Sequence, residues 1–320
     1  MWILYTALGI IAALFILSAA AAAAIFFGTL HRTPKKNAAK KSAVDTTALN
    51  DNDFLAPYRE ACKKETAWFE SLGPRDVSIT ANDGIPLHAE VLETENARAT
   101  VLLMHGFLTS PKHDFSLVFR FYRERGFNIV APYQRALGKS GGNYVTFGDK
   151  ERYDCKLWAE WIRDTYGKDL PIVMDGVSMG ASTILMSVGL GLPENVHAII
   201  ADCGYTTPWE IICTVMKATK LLPIFPCAHI AKLFARVFGD FSFTKPSTIE
   251  AMKSCKLPIL IAHGKKDRFV PYEMSVRNFE ACASEEKTLF TVEDAGHGMC
   301  FLVDREGYER EIENLLKDIL

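Results

Sequence analysis

Three residues of the 320-residue chain have the types and settings needed for nucleophilic catalysis. Ser178 stands in Gly176-Val177-Ser178-Met179-Gly180, after the apolar run 170–174 and before the helix-like stretch 181–186. A short buried strand, a sharp turn bearing serine and a helix make a nucleophile elbow. The glycines let neighbouring segments approach a strained serine with no Cβ in between. The pentapeptide alone also fits an ordinary glycine-rich turn, and its flanks favour the elbow. A serine hydroxyl is a poor nucleophile at neutral pH, so it needs a base. His297, in Ala295-Gly296-His297-Gly298, can take the hydroxyl proton and return it to a leaving group. Asp267, in His263-Gly264-Lys265-Lys266-Asp267, can hold the imidazole's tautomer and stabilise the imidazolium. Their order along the chain is Ser, Asp, His, each just after an apolar run. The three together are far more specific than the elbow alone.

The elements that must position these residues follow from patterning. Residues 54–72 carry Leu55, Tyr58, Cys62, Trp68, Phe69 and Leu72 at helical spacing and end in Gly73-Pro74. Two strand-like pieces, 76–80 and 87–92, flank Asn82-Asp83-Gly84, a hairpin signal. Residues 99–104 are a continuous apolar strand of the kind covered on both faces, running into His105-Gly106-Phe107. A strand at 128–132 leads to a loop, 133–142, that contains Gly138-Lys139-Ser140. A phosphate-binding loop would need glycine at position 133, where tyrosine stands. Residues 149–166 predict a helix with Tyr153, Leu157, Trp158, Trp161 and Ile162 as its core face. Strands are expected at 196–202, 258–264 and 289–292, and an amphipathic helix ends the chain. Asp267 then lies beyond a strand's C-terminal end, where ligands gather in open parallel sheets. His263, His88 and His113 are expected to cap or pack.

Between residues 205 and 254 the alternation stops, and two apolar helices appear around Pro223-Ile224-Phe225-Pro226. An insertion beside a catalytic cleft reads as a lid. Some of its apolar residues must pack the lid onto the body, a reading that could account for all of them; if a subset lines an acyl pocket, truncating Met216 or Phe234 is expected to widen it.

Composition bounds the rest. Nearly half the residues are apolar and the net charge is −2, which suits one large α/β domain with an appendage and gives no basic stripe for nucleic acid. The eight cysteines show no C-x-x-C pair, so neither a zinc site nor a disulfide framework is indicated. Residues 2–28 are uncharged and long enough to cross a ~30 Å hydrocarbon core. Ala19 to Ala24 could also serve a signal peptidase, but no lysine or arginine precedes the stretch, which favours an uncleaved anchor in the lipid bilayer. Arg32, Lys35, Lys36, Lys40 and Lys41 follow, placing the remainder on the cytoplasmic side by the positive-inside tendency. The organisation expected is an anchor at 1–30, a flexible tether at 31–53 and a catalytic domain at 54–320.

Over residues 54–320 the chain resembles the α/β-hydrolase superfamily, and within it bacterial, often membrane-anchored serine hydrolases of the serine aminopeptidase and esterase branch. The residues that carry this are Asn82-Asp83-Gly84, Gly176 to Ala181, His263 to Pro271 and Ala295-Gly296-His297. The resemblance implies a mostly parallel central sheet with helices on both faces, a Ser178-His297-Asp267 triad, and hydrolysis without metal or cofactor. It implies an oxyanion hole from the backbone N–H groups of Phe107 and Met179. His105, before the loop glycine, is expected to fix that loop by hydrogen bonds. The chain departs from the family's pattern at Tyr133, Ala136 and Leu137, where relatives commonly carry Asp, Gly and His; none is a triad position. The substrate expected is a carboxylic ester of modest size, with thioesters and aminoacyl amides as neighbouring alternatives. Few acids in the insertion, Glu210, Asp240 and Glu250, tilt the reading away from recognition of a free amine. A non-catalytic binding version of the fold usually lacks a triad member. A dehalogenase or epoxide hydrolase would carry aspartate at 178.

Overall fold

In the computed structural model, residues 1–32, 58–220 and 222–319 are described. The tether expected at 31–53, apart from His31 and Arg32, lies outside them, as do Leu55 and Leu221.

One sheet organises the chain: β1 (Arg75–Thr80), β2 (Pro86–Leu92), β3 (Ala99–Met104), β4 (Phe127–Pro132), β5 (Ile172–Val177), β6 (Val196–Asp202), β7 (Ile259–Gly264) and β8 (Lys287–Val292). Their spatial order is β1-β2-β4-β3-β5-β6-β7-β8. β2 runs antiparallel to β1 and β4, and the other neighbours are parallel. The β1–β2 hairpin turns at Gly84, whose φ of 81° asks for a residue without Cβ.

The all-apolar strands are explained by burial on both faces. In β3, Val101 and Leu103 join a core with Phe69, Phe119 and Tyr308, whereas Leu102 and Met104 join one with Trp158, Ile184 and Met252. The first core is covered by α2 (Arg59–Ser71), the one-turn α3 (Pro111–Asp114) leading into α4 (Ser116–Glu124), and α11 (Cys300–Val303) with α12 (Arg305–Leu315). The second is covered by α5 (Glu151–Tyr166), α6 (Met179–Val188), α9 (Thr248–Met252) and α10 (Tyr272–Ala281). α5 starts at Glu151, whose buried carboxylate accepts from the N–H groups of Thr146 and Gly148. Its core face is Cys155, Trp158, Ala159 and Ile162, while Tyr153 stays on the solvent side.

At the N-terminus, α1 (Trp2–Ile25) continues into a π-helical turn, Phe26–Leu30, and together they are a candidate membrane span. Its end does not hang from the domain. Val145 N–H donates to Leu30 O at 3.0 Å and Arg32 N–H to Asn143 O at 2.7 Å, and His31 bridges to Tyr144. The anchor is therefore stitched to the body through Leu30 and the first two residues of the expected tether. The insertion between β6 and β7 supplies α7 (Pro208–Thr219), α8 (Ile224–Phe238) and then α9.

Candidate active site

β5 delivers Ser178 at its C-terminal end, and α6 begins at the next residue. Ser178 has φ 56° and ψ −116°, a region that a side-chain-bearing residue occupies only under constraint. The neighbouring glycines enforce it. A Cβ on Gly180 would overlap the Met104 carbonyl, and one on Gly176 would lie 2.7 Å from Ala181 N. Ser178 N–H donates to Asp202 O at 2.8 Å, tying the elbow to β6.

Asp267 follows β7 and His297 follows β8, and the structure brings both to the serine. Ser178 Oγ lies 2.9 Å from His297 Nε2, and His297 Nδ1 lies 2.7 Å from Asp267 Oδ2. Since the carboxylate can only accept, Nδ1 carries the proton and Nε2 is free to receive one from the hydroxyl. Burial works to lower the His297 pKa, but the charge and hydrogen bond of Asp267 outweigh it and hold it above the ordinary value. Burial likewise opposes ionisation of Asp267. The charge of His297 and the hydrogen bonds of His263 and His297 prevail, keeping the carboxylate well below its usual range. Its second oxygen accepts from the Phe269 and Val270 N–H groups, each at 2.8 Å.

The loop after β3 lies against the serine. A Cβ on Gly106 would sit 3.4 Å from Ser178 Cβ. The loop is fixed on both sides of Phe107. Gly106 N–H and Thr109 Oγ1 donate to Asp114 Oδ2 at 2.6 and 2.7 Å, and His113 Nδ1 lies 2.6 Å from Asp114 Oδ1. His105 is fully buried, with Nδ1 2.8 Å from Gly106 O and Nε2 accepting from Gln134 N–H at 3.0 Å, so it is a neutral structural imidazole whose pKa burial depresses. Gln134 belongs to the loop after β4, which is held by Arg135. That buried guanidinium donates to Asp154 at 2.6 and 2.7 Å and to Asp83 in the hairpin turn at 2.9 Å. Met179, the second expected donor, is the first residue of α6, so its N–H has no acceptor within the helix.

A pocket of about 1150 Å³ opens over Ser178 and His297. Its walls come from Phe107 and Leu108, from Arg268 and Phe269, and from Cys62 and Thr66 of α2. Among the described residues the insertion does not line it, so Met216 and Phe234 follow the packing reading. Met216 packs with Ala22, Cys227 and Ile230, and Phe234 packs its ring 5.9 Å from that of Phe26. Both cover the anchor.

Four groups at the site escaped sequence reasoning. His263 is a second partner of Asp267 rather than a packing residue. Asp114 holds the loop, and its only signal is a polar residue closing a turn capped by Ser110. Asp175 and Asp202, buried on β5 and β6, line the pocket floor; burial raises them to about 7 and about 6. Among the described residues, Cys203, Asp267 and His297 offer ligand atoms within 4.8 Å of one another. Asp267 and His297 are committed to the hydrogen-bond chain, and burial beside carboxylates keeps the Cys203 thiol protonated, so they fit a metal poorly.

No family model matches the chain. YqkD of Bacillus subtilis, an uncharacterised protein, is 24% identical over 69% of this chain and 72% of its own length. The Saccharomyces cerevisiae uncharacterised membrane protein YNL320W is 24% identical over 75% and 78%. Among solved structures, the Pyrococcus furiosus esterase Pf2001 superposes with a TM-score of 0.63 at 27% identity, covering 78% of this chain and 93% of its own. Mouse alpha/beta hydrolase domain-containing protein 10 gives 0.56 at 19% identity, over 77% and 99%.

Proposed function

We propose that this member of the α/β-hydrolase superfamily is a serine hydrolase that cleaves carboxylic esters through an acyl-enzyme, with Ser178, His297 and Asp267 as its triad. The observation that carries the reading is the chain Ser178 Oγ to His297 Nε2 to Asp267, at 2.9 and 2.7 Å, on an elbow with φ 56°. The likeness to the Pyrococcus furiosus esterase Pf2001 at 27% identity supports the ester as substrate class.

As the Ser178 oxygen bonds to the ester carbonyl carbon, His297 Nε2 takes its proton, and the carbonyl π-pair moves onto oxygen. Phe107 and Met179 N–H groups receive that oxyanion, each worth roughly 3 kcal/mol of transition-state stabilisation. Collapse expels the alkoxide, which takes the proton from His297. Water then repeats the sequence: His297 removes its proton, the hydroxide oxygen bonds to the acyl carbon, and Ser178 leaves reprotonated. Asp267 stabilises the imidazolium in both halves and is not itself protonated.

We also propose that the domain lies at the cytoplasmic face of a membrane crossed by the exposed part of α1; Arg32 and the lysines after it support this orientation. Protease added to intact cells should leave it undigested.

The deciding experiment is Ser178→Ala, which removes one hydroxyl from the elbow. Ester hydrolysis and fluorophosphonate labelling should both vanish with the thermal unfolding midpoint unchanged. Because the three residues act as a unit, adding His297→Ala should cost almost nothing further. Retained turnover in Ser178→Ala, or additive losses, overturns the assignment.

A further inference from the structure

Between Glu210 and Asp240 the insertion contains no acidic residue, whereas Lys217, Lys220, Lys232 and Arg236 are all cationic. This stretch is the α7–α8 hairpin, and its position beside α1 can be read from contacts. Cys227 Sγ lies 3.9 Å from Ser18 O, and the Phe238 ring lies 5.4 Å from that of Phe27. Moving up α8 from Cys227 to Phe238 therefore runs alongside α1 from Ser18 to Phe27. The two helices point the same way. It follows that the turn entering α8 is directed back along α1, toward its free N-terminal part. Ala19 and Ala22 meet Met216, Leu222 and Cys227 there in one apolar cluster.

Length turns this placement into a constraint. Ser18 is the first residue of α1 that is not exposed; every residue before it is exposed. At ~1.5 Å per residue, Trp2 to Leu17 measures about 24 Å, some ~6 Å less than a ~30 Å hydrocarbon core. A full span of ~20 residues beginning at Trp2 reaches about Ala21. That is the level of Leu222 and Cys227. A bilayer that covers the anchor thus reaches the hairpin's turn, where Phe225 is 76% exposed, its ring 5.5 Å from that of His229. Lys217 and Lys220 stand just before that turn.

We propose that the tip of the α7–α8 hairpin, Lys220 with residues 222–225, is a second membrane-contacting element. Phe225 enters the same bilayer that α1 crosses, and Lys217 and Lys220 face anionic headgroups, a surface that attracts basic segments at about 1 kcal/mol per charge. The inference rests on α1 being a span and is independent of the catalytic assignment. It gives the insertion a role other than covering the pocket.

The test uses the full chain in nanodiscs of phosphatidylcholine mixed with phosphatidylglycerol, with p-benzoylphenylalanine placed in turn at positions 11, 225 and 169. Position 11 reports the span. Position 169 precedes β5, at the end of the parallel strands opposite the insertion. Lipid adducts are expected at 11 and 225 and not at 169. The Lys217→Glu, Lys220→Glu pair should cut the adduct at 225 several-fold and leave that at 11 unchanged. An adduct at 11 with none at 225 overturns the hairpin contact while leaving the anchor standing. No adduct at 11 removes the span and the proposal with it. Labelling at 169 equal to that at 225, or indifference of position 225 to the charge reversal, also overturns it.

Discussion

His263 Nε2 lies 3.1 Å from Asp267 Oδ2, the same oxygen that His297 Nδ1 reaches at 2.7 Å. His263 Nε2 also meets Val270 O at 3.0 Å and Nδ1 meets Ser275 Oγ at 2.7 Å. Two acceptors at Nε2 require the proton to sit there, so Nδ1 accepts from the serine hydroxyl. The Asp267 carboxylate is thus gripped by two imidazoles and two backbone amides. His263 touches no reacting atom and acts as a positioning residue.

Replacing it should therefore slow catalysis without abolishing it. His263→Leu removes one donor to a buried carboxylate, worth about 1.5–3 kcal/mol, and should lower kcat by roughly 10–100-fold with little change in KM. Steady-state kinetics on a short soluble ester reads this out. Wild-type kcat in this variant would assign His263 to packing alone.

The pH profile follows from the direction of the His297 shift. Only neutral His297 can act as base, and Asp267 raises its pKa above 6.5, so the acid limb of kcat/KM should rise above that value. In Asp267→Asn the raising charge is gone while burial, which lowers the pKa, remains. The limb should then move below 6.5 even as the plateau collapses. An unmoved limb would mean that another group controls the titration.

How much of this was legible depended on the range of the interaction. Ser178, Asp267 and His297 could be placed because each follows its own apolar strand, and in a parallel sheet all strand C-termini share one edge. The elbow glycines were readable because their steric demand is local. By contrast, periodicity marks a helix face as apolar without naming what covers it. Met216 and Phe234 carry the pattern of a pocket wall, yet they pack against Ala22 and Phe26, some two hundred residues earlier. Tyr153 failed for a related reason: it fits the spacing of the α5 core face but lies at its rim. His263 was misjudged because a single histidine at a strand end has no sequence sign of the carboxylate it will meet.

Asp175 predicts a pH-dependent stability. It is buried on β5, accepts from Tyr122 Oη–H at 2.7 Å, and burial raises it to about 7, with the neighbouring Asp202 adding to the rise. The folded state then holds a proton that the unfolded chain releases near 3.8, so stability falls as pH rises between these values and the full cost is present above about 7. Asp175→Asn keeps an acceptor for Tyr122 and carries no charge. Its unfolding midpoint should match or trail that of wild type near pH ~4 and lie above it near pH ~8, a gain in unfolding free energy on the order of a few kcal/mol. Equal midpoints at both values would show that Asp175 is not carrying that cost.

Ala136 predicts a conformational effect in the loop that carries Gln134 and Arg135. Its φ is 62°, its N–H donates to Gly141 O at 2.6 Å, and it is buried, so the left-handed backbone is held by its surroundings and cannot relax. A residue with Cβ loses about 1–2 kcal/mol in this region. Ala136→Gly removes that strain but gives the unfolded chain more freedom, costing about 0.4–1 kcal/mol, so the net gain should be below about 1.5 kcal/mol. Ala136→Val adds a branched side chain to the same backbone and should lose more than about 1 kcal/mol. Thermal unfolding of the three chains should rank Gly at or above Ala, and Ala above Val. A valine variant as stable as wild type would show that the loop adopts another backbone at this position, and the route from Gln134 to His105 and the oxyanion loop would have to be redrawn.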